Sequence, residues 1–171
     1  MQRIARFARV SQSQFARDWR RLFPDEGNIP DVSSIPLPRR ATPGSAGYDF
    51  FAPFSFTLSA GSRVIIPTGI RVLMQEGWFL AVFPRSGLGV KYRFRLDNAV
   101  GIIDQDYAAS SNEGHILLAM TNEGVEDKML QVETGKAVAQ GIFLPYGITE
   151  EDEPVGIRDG GFGSTTGKGE A

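Results

Sequence analysis

Between about residue 35 and residue 148 glycine and proline cut the chain into short apolar runs. No run there keeps a helical period over roughly ten residues. The runs are Tyr48 to Phe56, Arg63 to Ile66, Ile70 to Met74, Trp78 to Phe83, Asn98 to Ile103, His115 to Thr121 and Val138 to Leu144. They are rich in Val, Ile and Phe and are bounded by turn residues, which is the pattern of strands. Pro67-Thr68-Gly69 predicts a turn between two of them. Many short strands without intervening helices predict an all-β sandwich or barrel rather than an alternating α/β fold.

Two zones flank this core. In residues 1–34, Ser11-Gln12-Ser13-Gln14 has the form of a capping box, a hydroxyl at the cap and Gln three residues on. Phe15, Trp19, Leu22 and Phe23 follow at helical spacing, so one short amphipathic helix ending before Pro24 is expected. Arg17, Arg20 and Arg21 flank it and read as a solvated basic face, because Asp18, Asp25 and Glu26 stand among them. From about Thr149 the chain becomes acidic and then Gly-rich, a composition too poor in apolar groups to hold a fold by itself. Residues 1–34, 35–148 and 149–171 are therefore expected to act as an N-terminal extension, a β core and a C-terminal arm.

Composition narrows the chemistry. None of the 171 residues is cysteine, so disulfides, thiolate nucleophiles and sulfur metal sites are excluded. His115 is the one histidine, which argues against zinc, since zinc sites draw on several His or Cys ligands. Any metal should be a hard cation held by oxygens. With 18 basic and 20 acidic residues, the charge balance calls for neither a nucleic-acid nor a membrane partner. Arg3, Arg6 and Arg9 interrupt the start of the chain and leave no apolar core for a signal peptide, so a soluble cytoplasmic protein is expected.

Three clusters could carry chemistry. Pro84-Arg85-Ser86-Gly87-Leu88-Gly89 follows a strongly apolar run. Arg can grip a phosphate with two hydrogen bonds, Ser can donate another, and Gly lets backbone come close. The same residues would equally make a turn with a surface arginine. In Asn98-Ala99-Val100-Gly101-Ile102-Ile103-Asp104-Gln105-Asp106-Tyr107 the apolar stretch ends on Asp104, which puts a carboxylate at a strand mouth. That suits a general base acting on water, or simply an Asp-initiated turn beside a core Tyr107. The tail, Gly160 to Gly169, offers backbone N–H groups and hydroxyls to phosphate oxygens, or is simply a disordered end without a function. It is not a Walker loop, because Phe162 stands where that pattern requires Gly and Gly169 stands where it requires Ser or Thr.

Taken together and in order, these clusters resemble the trimeric dUTPase family. Pro43 to Phe50 (PGSAGYDF), Pro84 to Leu88 (PRSGL), Gly101 to Tyr107 (GIIDQDY), Gly135 to Phe143 (GKAVAQGIF), and Arg158 with Gly160 to Thr165 (GGFGST) are similar to its five motifs. The resemblance spans about residues 36–168 and includes Pro67 to Ile70. Three features differ: Arg158 and Phe162 are closer than in many members, Thr166 is extra, and residues 108–114 form a longer link after the tyrosine.

The resemblance implies a distorted β-barrel or jelly-roll and a homotrimer whose active sites are shared between chains. It implies hydrolysis of dUTP to dUMP and pyrophosphate with Mg²⁺ held by the phosphates and water, without a direct protein ligand. Asp104 would activate the water. Arg85, Ser86, Gly87 and Gln140 would bind the phosphate chain, and Arg158, Gly163, Ser164 and Thr165 would close on its far end. Asn98, Gly101, Ile102 and Ile103 would read uracil, Tyr107 would exclude a ribose hydroxyl, and Phe162 would stack on the base. Asp49 would be a structural carboxylate. Two other readings stay open: a dCTP deaminase of the same fold, which would need a catalytic Glu, and a regulatory protein that binds dUTP.

Overall fold

The computed structural model describes residues 2–124, 128–154 and 156. In chain order these form β1 (Ala5–Arg9), α1 (Gln12–Leu22), a 3₁₀ turn (Val32–Ser34), β2 (Arg39–Arg40), β3 (Tyr48–Phe51), β4 (Phe56–Leu58), β5 (Arg63–Pro67), β6 (Ile70–Met74) and β7 (Trp78–Pro84). They continue with α2 (Ser86–Tyr92), β8 (Phe94–Leu96), β9 (Gly101–Ile103), a second 3₁₀ turn (Gln105–Ala109), β10 (Leu117–Asn122), β11 (Leu130–Val132) and β12 (Ala137–Pro145). The fold is mostly β, of the distorted jelly-roll type, as expected. The largest sheet has the order β2-β3-β12-β7-β9, a second has β5-β10-β8, and β1-β6 and β11-β4 form two ribbons. Every pairing is antiparallel. Phe50, Ile66, Leu80, Phe94, Ile116 and Met120 fill the space between the sheets with almost no exposure.

The expected elements shift in physically interpretable ways. The run Tyr48 to Phe56 is two strands, because the chain changes sheets at Ala52-Pro53: β3 pairs with β12, whereas β4 pairs with β11. The run Asn98 to Ile103 is extended only from Gly101. Before it, Asp97 to Val100 make a tight turn with Ala99 at φ 62°, so the flanking strands β8 and β9 join different sheets. The strand expected from His115 begins at Leu117. Ser86 opens a short helix rather than a bare turn, and none of its residues is buried.

The N-terminal zone holds more than the expected helix. Strand β1 pairs along its full length with β6. Ser11 caps α1 by accepting from the Gln14 N–H at 3.1 Å. The box is only half formed, because the Ser11 N–H goes to Glu113 at 2.8 Å while the Gln14 side chain turns to Asp18. Phe15 and Trp19 are buried in the same core cluster as the sheets, worth roughly 1.5–3 kcal/mol each in removed apolar surface. Arg17, Arg20 and Arg21 face solvent as expected, but Asp18 among them is buried. The Pro67-Thr68-Gly69 turn receives this helix: Gly69 sits at φ +71°, and a Cβ there would meet Ile35 Cδ1 at 2.6 Å.

Candidate active site

Two separate groups of the predicted site residues emerge, one at each end of β7. The first group is built across three neighbouring strands. Gln140 on β12 lies opposite Asp49 on β3 and Phe83 on β7. Strand β7 ends at Pro84, and Arg85 then caps α2 at φ −78° and ψ 137°. The Arg85 Nε donates to Asp49 Oδ1 at 3.1 Å, which aims a half-exposed guanidinium along the sheet edge. The Gln140 amide donates to the Pro84 carbonyl at 3.3 Å. Gly47 keeps that amide in place, because a Cβ at residue 47 would come within 2.7 Å of Gln140 Oε1. Ser86 and Gly87 follow directly and are exposed. The cluster therefore offers a guanidinium, a hydroxyl and an amide on one rim, the donor set for an oligophosphate.

The second group surrounds the end of β9. Gly101 is buried against β7, where a Cβ would meet Val82 Cβ at 3.3 Å. Ile102 points outward at 52% exposure, and Asn98 lies exposed in the preceding turn. Asp104 follows the strand as the cap of the 3₁₀ turn, half-buried, with its carbonyl accepting from the Tyr107 N–H at 3.2 Å. Tyr107 is 8% exposed, and its hydroxyl donates to the His115 carbonyl at 2.9 Å. Asn112 Nδ2 donates to that hydroxyl at 2.8 Å.

Within one chain the two groups are held apart. Leu80 lies opposite Ile103, while Pro84 is at the far end of β7. From Leu80 to Pro84 the strand advances roughly 13 Å at about 3.3 Å per residue. Asp104 and Arg85 each lie one step further out, beyond opposite ends of that span.

Arg158, Phe162, Gly163, Ser164 and Thr165 lie outside the described residues. Among the described residues no group of three or more His, Asp or Glu side chains is placed to hold a metal ion. No helix there is long and apolar enough to cross a membrane. Sequence reading missed the contacts that hold the site residues. Asp49 was legible as a carboxylate within a motif, but its pairing to Arg85 depends on strand register. Asn112 and His115 carried no signal that they would grip Tyr107.

The dUTPase family model matches residues 33–166. The chain is 39% identical over 136 residues to the deoxyuridine 5'-triphosphate nucleotidohydrolase of Lactococcus lactis subsp. lactis (strain IL1403), which covers 78% of this chain and 89% of that protein. It is 41% identical over 137 residues to the protein of the same name from Desulfitobacterium hafniense (strain DSM 10664 / DCB-2), covering 75% and 86%. Among solved structures, the dUTPase from Streptococcus mutans matches with a TM-score of 0.62 at 32% identity, over 84% of this chain and 98% of that one. The chain belongs to the dUTPase family.

Proposed function

We propose that this chain hydrolyses dUTP to dUMP and pyrophosphate, in active sites that each combine residues from three copies of it. Family membership supports the reaction. The observation that carries the shared site is the separation of Asp104 from Arg85 along β7. A base acting at one phosphorus and an arginine gripping the same phosphate chain must lie within a few ångströms of one substrate. Opposite ends of a strand in one chain do not offer that, whereas the Asp104 end of one copy and the Arg85 end of another do. Val90 on α2, 85% exposed, together with Leu144 near the end of β12 and Tyr146 and Ile148 just after it, leaves apolar surface that suits self-association.

In this mechanism Asp104 orients a water toward the α-phosphorus and takes its proton, and pyrophosphate leaves. Negative charge grows on the phosphate oxygens. Arg85, held by Asp49, together with Ser86, Gly87 and Gln140, meets it with donors fixed before the reaction begins. Mg²⁺, which the triphosphate oxygens and water would hold, would supply further neutralisation of that charge. Arg158 pairs with the γ-phosphate, Gly163, Ser164 and Thr165 close on the same end, and Phe162 stacks on the base. Uracil is read along Asn98 to Ile103. A cytosine there leaves buried groups unpaired at about 1–3 kcal/mol each. Residues 35–148 thus form the catalytic core and 149–171 its closing arm. The Asp104–Tyr107 pattern and the Gly after Pro84-Arg85-Ser86 favour this reading over a deaminase.

Tyr107 supplies the test. Its hydroxyl is held by the His115 carbonyl and the Asn112 amide, and in this reading its ring packs under the deoxyribose. Tyr107→Ala should raise kcat/KM for UTP relative to dUTP by about 10- to 100-fold, the scale of steric discrimination against one added hydroxyl. An unchanged ratio would remove Tyr107 from the sugar site.

A further inference from the structure

The lone histidine and the N-terminal helix remain outside the chemistry above, and the structure joins them. His115 is fully buried. Its Nε2 accepts the Gly69 N–H at 2.9 Å, so the ring proton sits on Nδ1 and is donated to Asp18 Oδ2 at 2.6 Å. Asp18 also accepts from Gln14 at 2.8 Å and from Arg21 at 3.2 Å. Burial pulls the Asp18 carboxyl upward, but the hydrogen bonds from His115 and Gln14 and the charge of Arg21 outweigh it, leaving the group below its ordinary 3.8 and ionised. A second tie runs nearby, where the Ser11 N–H and hydroxyl donate to the Glu113 carboxylate at 2.8 and 2.6 Å. This same segment holds Tyr107, through the His115 main-chain carbonyl and the Asn112 side-chain amide. His115 is thus a joint, its side chain bound to α1 and its carbonyl bound to Tyr107.

We propose that α1 braces Tyr107, with Asp18 and Glu113 as positioning residues that fix the wall excluding a 2′-hydroxyl. The proposal rests on Tyr107 facing the sugar. Steric exclusion is only as sharp as its wall is stiff, because a ring that can retreat by a fraction of an ångström admits the larger substrate. The Tyr107 hydroxyl donates to one partner in the 108–116 segment and accepts from another, so its resistance to such a retreat depends on how firmly that segment is held. The His115 imidazole is bonded by the Gly69 N–H of the β5–β6 turn and by Asp18 of α1, whose Phe15 also lies against the ring at 5.9 Å.

The test compares Asp18→Ala, Asp18→Asn and Glu113→Ala with the unaltered chain and with Tyr107→Ala. Asn at 18 keeps an oxygen for the His115 N–H. Ala at 113 keeps the positive φ of 59°, so its backbone strain is that of Glu. Asp18→Ala should raise the UTP-to-dUTP ratio of kcat/KM by about 3- to 10-fold, part of the ~10²-fold available to a steric pocket. Asp18→Asn should restore most of the selectivity, and Glu113→Ala should shift it in the same direction as Asp18→Ala. Hydrogen exchange should accelerate in residues 105–116 and not in β7 or β12. A purely structural helix would lower activity on both nucleotides alike and speed exchange throughout. If Asp18→Ala does not fold, Glu113→Ala decides by the same two measurements. An unchanged ratio in the folded variants, while Tyr107→Ala responds, overturns the brace. If Tyr107→Ala itself leaves the ratio unchanged, the sugar reading has failed and exchange alone decides: acceleration confined to 105–116 supports the brace, and uniform or absent acceleration overturns it.

Discussion

Asp104→Asn binds dUTP and turns it over about 10²–10⁴-fold more slowly, the usual range for a lost general base. The substitution preserves size at the cap of the 3₁₀ turn, where the backbone is extended at φ −79° and ψ 160°. It removes the negative charge and the ability to take a proton, and replaces one acceptor oxygen by an N–H₂ donor. The bond from the Tyr107 hydroxyl to the His115 carbonyl and that from the Tyr107 N–H to the Asp104 carbonyl do not involve the altered side chain. Binding and chemistry therefore separate in this variant. Equilibrium titration with dUTP and single-turnover hydrolysis measure the two independently, and a near-normal kcat would place the base elsewhere.

The second large effect comes from the C-terminal arm. A chain cut after Gly156 loses Arg158, Phe162, Gly163, Ser164 and Thr165 and should be nearly inactive. It should still fold and assemble, because the core cluster of the described residues is built from Phe7 to Phe143, all before the cut. Asp104→Asn is nearly inactive for a different reason. Trimers refolded from a mixture of the two should recover part of the activity, since some sites would then join an intact Asp104 from the truncated chain with an intact arm from the other. A site wholly within one chain cannot be rescued this way. Separately refolded proteins, mixed afterwards, are the control. No recovery above that control, in mixed trimers confirmed by mass, contradicts the shared site.

The fold class was legible because short apolar runs and their turn residues are local properties, and the runs at Ile70 to Met74 and Trp78 to Phe83 became β6 and β7 almost unchanged. Strand β1 was hidden because ARFAR carries two arginines, and only its pairing with β6 makes it a strand. Helix α2 was hidden for the opposite reason. SGLGVKY has two glycines and buries nothing, so no amphipathic period marks it. Asp18 reads in sequence as one more charge on a basic helix face. Its burial is set by His115, a partner 97 residues away, and no local pattern encodes such a pair. The motifs were likewise visible as strings of residues, but they contain no strand register. That register places Asp104 and Arg85 on opposite sides of the Leu80–Pro84 span of β7, which is what points to several copies building one site.

The central claim is most directly tested by product analysis. The unaltered protein is incubated with Mg²⁺ and, separately, with dUTP, UTP, dCTP and dTTP, and nucleotides, pyrophosphate and ammonia are quantified over time. The account predicts dUMP and pyrophosphate in equal amounts from dUTP, with kcat/KM at least ~10²-fold above that for the other three, a ratio within reach of a pocket that combines steric and hydrogen-bond rejection. Ammonia released from dCTP, or tight binding of dUTP without any dUMP formed, would contradict it.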